Sequence, residues 1–155
     1  MLKYNSMNTI HDFRQLLLEV SEKSKFNFSG LGILVYSDLT NLPIISLKHT
    51  DKDIHLPIKD RNEVVERLSL ISSSNNKYHD GFHMLNDKLE LTHLSQYVAA
   101  TIIKDVIIKN EFGCRYRTAI YASALPNIIC SGVLSSNYPA TVFQNGKEVF
   151  SMLCL

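Results

Sequence analysis

Two short segments concentrate the side chains able to do chemistry. The first is Tyr78-His79-Asp80-Gly81-Phe82, placed between a predicted helix end and a predicted strand. An aspartate at a strand mouth can orient a hydroxyl or hold a metal, and a histidine beside it can assist. The second is Gly113-Cys114-Arg115-Tyr116-Arg117-Thr118-Ala119, a glycine followed by two arginines at a predicted helix start. Arginines there suit phosphate, because their planar donors add to unpaired backbone N–H groups. Each segment also has a plainer reading: an Asp-Gly pair makes a turn, and R-x-R can be a solvated face. His79 and His83 have the i, i+4 spacing of a metal pair on a helix, but Gly81 between them and the apolar run after them argue against a helix. The chain has no G-x-x-x-x-G-K-[ST] loop, no G-x-G-x-x-G and no G-x-S-x-G elbow, so the commonest phosphate cradles and the hydrolase nucleophile turn are absent.

The elements that must position these residues follow from patterning. The 155 residues carry 16 Lys+Arg against 15 Asp+Glu, a formal net charge of +1, and are 45% hydrophobic. That fits a single folded domain (core about 9–153) and excludes disorder and coiled coil as whole-chain descriptions. The balanced charge gives no global pull toward nucleic acid. Three widely spaced cysteines, Cys114, Cys130 and Cys154, form no C-x-x-C pair and read as buried free thiols in a reducing compartment. The N-terminus lacks a secretory h-region, and no apolar run is long enough for a membrane span, so the expected location is cytoplasmic.

Residues 9–24 read as an amphipathic helix, with Thr9 and Asp12 as a capping box. Leu31 to Tyr36 and Leu42 to Leu47 read as strands, with Gly30 and Gly32 bracketing a break. Asp60 caps a second helix over about 61–73. Phe82–Leu85 and Leu89–Leu94 form a hairpin through Asn86-Asp87-Lys88. Residues 95–112 fit either a strand with a loop or a helix. Arg115–Ala124 is a helix, Asn127–Cys130 and Ala140–Gln144 are strands, and Asn145-Gly146 turns into a return strand over Val149–Leu153. The sum is an α/β or α+β layered domain: a central twisted mixed β-sheet flanked by helices.

In this order the two segments resemble the diadenylate cyclase domain, whose hallmarks are D-G-A, often preceded by His, and a downstream G-T-R-H-R. Here they stand as His79-Asp80-Gly81-Phe82 and Gly113-Cys114-Arg115-Tyr116-Arg117. The family's strand ending in Ser-Glu-Glu corresponds to Asn127-Ile128-Ile129-Cys130-Ser131, and its N-G turn to Asn145-Gly146-Lys147. The resemblance covers about residues 10–150. It implies a domain that binds ATP or another adenine nucleotide, in a face-to-face homodimer that joins two ATP into cyclic di-AMP with Mg²⁺ or Mn²⁺. Carried over, Asp80 orients the 3′-hydroxyl and His79 helps at the metal. Gly81, Phe82, Arg115, Tyr116, Arg117 and Thr118 surround the nucleotide.

The departures from the family are specific. Phe82 replaces an alanine, Tyr116 a histidine and Cys114 a threonine. Residues 130–137, Cys-Ser-Gly-Val-Leu-Ser-Ser-Asn, hold no acid where the family has Ser-Glu-Glu, and the segment between Leu94 and Gly113 departs from L-P-L-[ST]. Three readings stand: a divergent cyclase, a nucleotide sensor without turnover that signals to a partner, and a relic without ligand. The expectation they share is geometric: His79-Asp80-Gly81 and Arg115–Arg117 should line one cleft.

Overall fold

A computed structural model describes residues 2–24, 28–106, 108, 113–137 and 140–152. The described elements run α1 (Leu2–Lys23), β1 (Gly30–Tyr36), β2 (Ile44–Ser46), α2 (Arg61–Ile71), β3 (Phe82–Leu85), β4 (Leu91–Val98), α3 (Cys114–Ala122), β5 (Ile128–Ser135), β6 (Ala140–Gln144) and β7 (Lys147–Met152). The strands form one sheet in the order β2-β4-β3-β1-β5-β6-β7. The β1–β3 pair is parallel and its neighbours pair antiparallel, so the sheet is mixed and the fold α+β.

Strand alternation divides the core in two. Leu31, Ile33 and Val35 of β1 face α1 and α2, joining Phe13, Leu16, Leu17, Val20, Val64, Val65, Leu68 and Ile71. Leu34 and Tyr36 face the other way, with Met84, Val133, Phe143 and the α3 residues Tyr116, Ala119 and Ile120. Of the stripe predicted for the first helix, Phe13, Leu16, Leu17 and Val20 are fully buried and Ile10 is partly buried, but α1 begins at Leu2, so Thr9 lies inside the helix rather than at its N-cap. Nothing in residues 2–8 interrupts a helix: they contain neither Gly nor Pro. Asp60 caps α2 as expected, its carboxylate accepting from the Glu63 N–H at 3.1 Å.

The other boundaries shift for local reasons. β4 starts at Leu91 rather than Leu89 because Leu89 takes a left-handed φ of 61°, while Asn86 Oδ1 accepts from the Lys88 and Glu90 N–H groups. Residues 95–98, ambiguous in the sequence, continue β4 through Ser95 at φ 51°. Residues 99–106 have no regular structure, and 107 and 109–112 lie outside the described residues. β2 is shorter than expected, with Pro43 just before it on the sheet edge. Gly30 and Gly32 belong to β1 rather than bracketing a break. α3 stops at Ala122, where the Ser123 hydroxyl donates to the Ile120 carbonyl and accepts from the Gly146 N–H. Asn145 and Gly146, both at positive φ, form the β6–β7 turn as expected. β7 begins at Lys147, and Leu153 lies outside the described residues. Cys130 is buried but Cys114 is exposed, against the expectation of buried thiols, and Cys154 lies outside the described residues.

β5 runs five residues beyond the predicted end at Cys130, through Gly132, which lies under α1. A Cβ there would stand 2.8 Å from both Leu17 Cδ1 and Phe13 Cε1. Both side chains are fully buried and have nowhere to retreat. Gly132→Ala should therefore cost about 1–3 kcal/mol of stability, the range for overpacking a filled core. Urea denaturation checks this; an unchanged midpoint would show that α1 is not seated on β5.

Candidate functional site

The cleft opens between α3 and the β3–β4 end of the sheet and has a volume of about 380 Å³. Gly81, Phe82, Gln96, Tyr97 and Val98 line it with Leu47 from the sheet side, and Cys114, Arg115 and Thr118 line it from α3. The expected juxtaposition is therefore present in part: 34 positions apart in sequence, Gly81 and Arg115 border one space.

Arg115 is seated by missing Cβ atoms. Gly30 and Gly32 are two residues apart on β1 and present the same face to α3. A Cβ on Gly30 would stand 2.8 Å from Arg115 Nη1, and one on Gly32 would stand 3.0 Å from Arg115 Cγ and 2.7 Å from Phe82 Cε1. The arginine and the phenyl ring thus occupy the room that two side chains would have taken. The far end of Arg115 makes a long 3.5 Å contact from Nη2 to the His79 carbonyl, which ties the two sequence segments together directly.

The remaining predicted residues separate. Gly81, Phe82, Arg115 and Thr118 line the cleft. Asp80 is exposed, next in sequence to the lining residue Gly81. His79 is half-buried; its Nδ1–H donates to the Ile71 carbonyl at 3.0 Å, at the end of α2. Tyr116 turns away into the core, its ring edge-on to Phe143 with centroids 4.9 Å apart. Arg117 does not line the cleft. Two residues along a helix is a turn of about 200°, so the pattern R-x-R sends its second arginine away from the first.

The wall opposite α3 is fixed by a buried network. Gly81 has φ 80°, and a Cβ there would lie 2.7 Å from the Gln96 carbonyl oxygen. Ser95, before Gln96, donates its N–H to His83 Nδ1 at 3.2 Å and its hydroxyl to the Tyr78 carbonyl at 3.0 Å. His83 is fully buried, and its Nε2 has no hydrogen-bond partner among the described residues. Burial, with Arg115 and His79 nearby, pushes His83 down from 6.5 to about 3.

No protein-family model and no curated protein matches the chain. Solved structures do match in fold. One is the hypothetical membrane spanning protein from Bacillus cereus, with TM-score 0.64 and 21% identity over 91% of this chain. Another is DacA from Staphylococcus aureus, a double mutant, with TM-score 0.59 and 18% identity over 92% of this chain. The fold is diadenylate-cyclase-like. The match covers 62% of the Bacillus cereus chain and 89% of the DacA chain. Among the described residues no helix is long and apolar enough to cross a membrane.

Within this diadenylate-cyclase-like fold, sequence reasoning missed Leu47, Gln96, Tyr97, Val98 and Cys114 as lining residues. Three of them fall in or next to the ambiguous stretch, where no periodicity marks a strand. The signal for Gly30 and Gly32 was present, as two glycines spaced by the strand period.

The buried network predicts an acid limb. His83 stays neutral in the fold while an unfolded chain takes up a proton below its ordinary value. Stability is therefore complete above about pH 6.5 and falls as the pH drops toward 3, with a slope of at most about 1.4 kcal/mol per pH unit for this one group. Burial also lowers His93, which adds in the same direction. Chemical denaturation from pH 7 to pH 4 should show a shallower loss for His83→Gln than for wild type; identical slopes would contradict the assignment.

Proposed function

We propose that the chain is a nucleotide-binding domain of the diadenylate cyclase type, taking ATP or a related adenine nucleotide in the cleft beside α3. The observation that carries this reading is the guanidinium of Arg115, lying on β1 over Gly30 and Gly32 at a cleft that Gly81 and Phe82 also line. A planar cation at the start of a helix, beside a threonine hydroxyl, recognises phosphoryl oxygens. The likeness in fold to DacA and the His79-Asp80-Gly81 and Arg115–Arg117 motifs support adenine nucleotide over other phosphate esters.

The Mg²⁺ or Mn²⁺ implied by the resemblance does not fit the donors present. Among the described residues no three His, Cys, Asp or Glu side chains converge on a metal position. Ser131, at the place of the family's Ser-Glu-Glu, is fully buried and donates to the Ala119 carbonyl at 2.6 Å. This donor set favours binding without turnover over condensation of two ATP to cyclic di-AMP. Asp80 remains the side chain that would orient a ribose hydroxyl.

Arg115→Ala should weaken adenine-nucleotide binding by about 1.5–3 kcal/mol, the range for a charged hydrogen bond. Arg117→Ala should leave it within about threefold, or roughly 0.65 kcal/mol. Equal losses would point to general charge attraction instead. For turnover, the protein is incubated with ATP and Mg²⁺ or Mn²⁺ and analysed by mass spectrometry. No cyclic di-AMP is expected, and its formation would establish the cyclase.

A further inference from the structure

Among the described lining residues the cleft has one carboxamide, that of Gln96, and the fold fixes which way it faces. Gln96 pairs across the sheet with Phe82 and lies two residues before Val98 on β4. Both of those side chains pack toward α3. Cross-strand partners and alternate residues share a face, so the Gln96 side chain also leaves β4 on the α3 side. It is 6% exposed, and a side chain so enclosed needs partners for its polar atoms. Nε2 has one: it donates to the Leu94 carbonyl at 2.8 Å. Among the described residues no group donates to Oε1, yet Oε1 is not sealed from solvent as Arg14 Nε and His83 Nε2 are. That acceptor opens on the cleft. The Leu94 contact also holds the amide against flipping, because a reversed carboxamide would set Oε1 against the Leu94 carbonyl oxygen, two acceptors with no hydrogen between them.

The position of this acceptor suits the far end of a nucleotide. β1 pairs with β3 with Ile33 beside His83, so Gly32, Phe82 and Gln96 form one row across the sheet. Arg115 lies over Gly32 at one end of that row. Gln96 stands two strands away, roughly 10 Å at ordinary strand spacing, a span that a nucleotide covers from phosphoryl group to base edge. A fixed carboxamide oxygen recognises an exocyclic amine such as the 6-amino group of adenine. Building on the nucleotide-binding reading, we propose that Gln96 determines base specificity: its Oε1 accepts from the 6-amino group of adenine, and the Leu94 carbonyl holds it in that orientation.

Isothermal titration calorimetry of the full chain tests this with AMP and purine riboside 5′-monophosphate, which carries hydrogen in place of the 6-amino group. Phosphate and ribose are common to both, so the ratio of the two affinities isolates the contact at position 6. Wild type should bind AMP about 5–100-fold tighter, the span for leaving a desolvated acceptor unpaired. Gln96→Met keeps the length and bulk of the side chain without the carbonyl, and should bind the two nucleotides equally. Gln96→Glu keeps an acceptor and should retain the preference for AMP. Should Gln96→Met not fold, the wild-type ratio and Gln96→Glu decide. Equal wild-type affinities, a preference that persists in Gln96→Met, or one that is lost in Gln96→Glu would overturn the assignment of Gln96 while nucleotide binding stands. Binding of neither nucleotide to wild type would overturn both.

Discussion

The site depends on what β1 lacks. At Gly30 and Gly32 the strand offers bare backbone to α3, and the Arg115 side chain and the Phe82 ring fill that room. A methyl group at either position would meet them at under 3.0 Å, a separation that requires something to move. Strand glycines normally weaken a sheet. Here β1 is buried between β3 and β5, and long antiparallel pairing with β5 holds it in place. The same device, used at Gly132 on the opposite face, seats Phe13 and Leu17 of α1. Glycines thus let a helix approach the sheet from each side, once to close the core and once to lay a cation at a cleft.

The second wall of the cleft is held by polar contacts rather than by packing volume. Ser95 leaves the regular strand conformation, and its two hydrogen bonds reach His83 and the Tyr78 carbonyl. This places the Gln96 carbonyl against Gly81. His83 accepts from backbone through Nδ1, so its proton sits on Nε2, which finds no acceptor among the described residues. A buried donor left unpaired costs stability, and the neutral ring is the less costly state beside Arg115.

Legibility in the sequence followed the range of the interaction. The core stripe of α1, the Asp60 cap and the Asn145-Gly146 turn are local, and their residue types declared them. β4 beyond Leu94 was illegible because its course turns on Ser95 at positive φ, where the Ser95 N–H bonds to His83 twelve residues earlier. The Thr9-Asp12 pattern misled because a capping box has meaning only where the preceding residues leave the helix, and these do not. At the site, Gly81, Phe82, Arg115 and Thr118 were readable as two motifs. Tyr116 and Arg117 were not separable from Arg115 without the helix turn that sends them elsewhere. Gln96 carried no motif at all, and its place at the cleft comes from pairing with Phe82 of β3.

The account stands on Arg115 receiving a phosphoryl group at the cleft that Gly30 and Gly32 make room for. A crystal structure of the chain soaked with AMP tests this most directly. The account predicts phosphate oxygens within hydrogen-bond distance of the Arg115 guanidinium and the nucleotide lying between Gly81 and Thr118. A well-ordered nucleotide elsewhere on the sheet, with Arg115 still folded onto β1 and untouched, would contradict it.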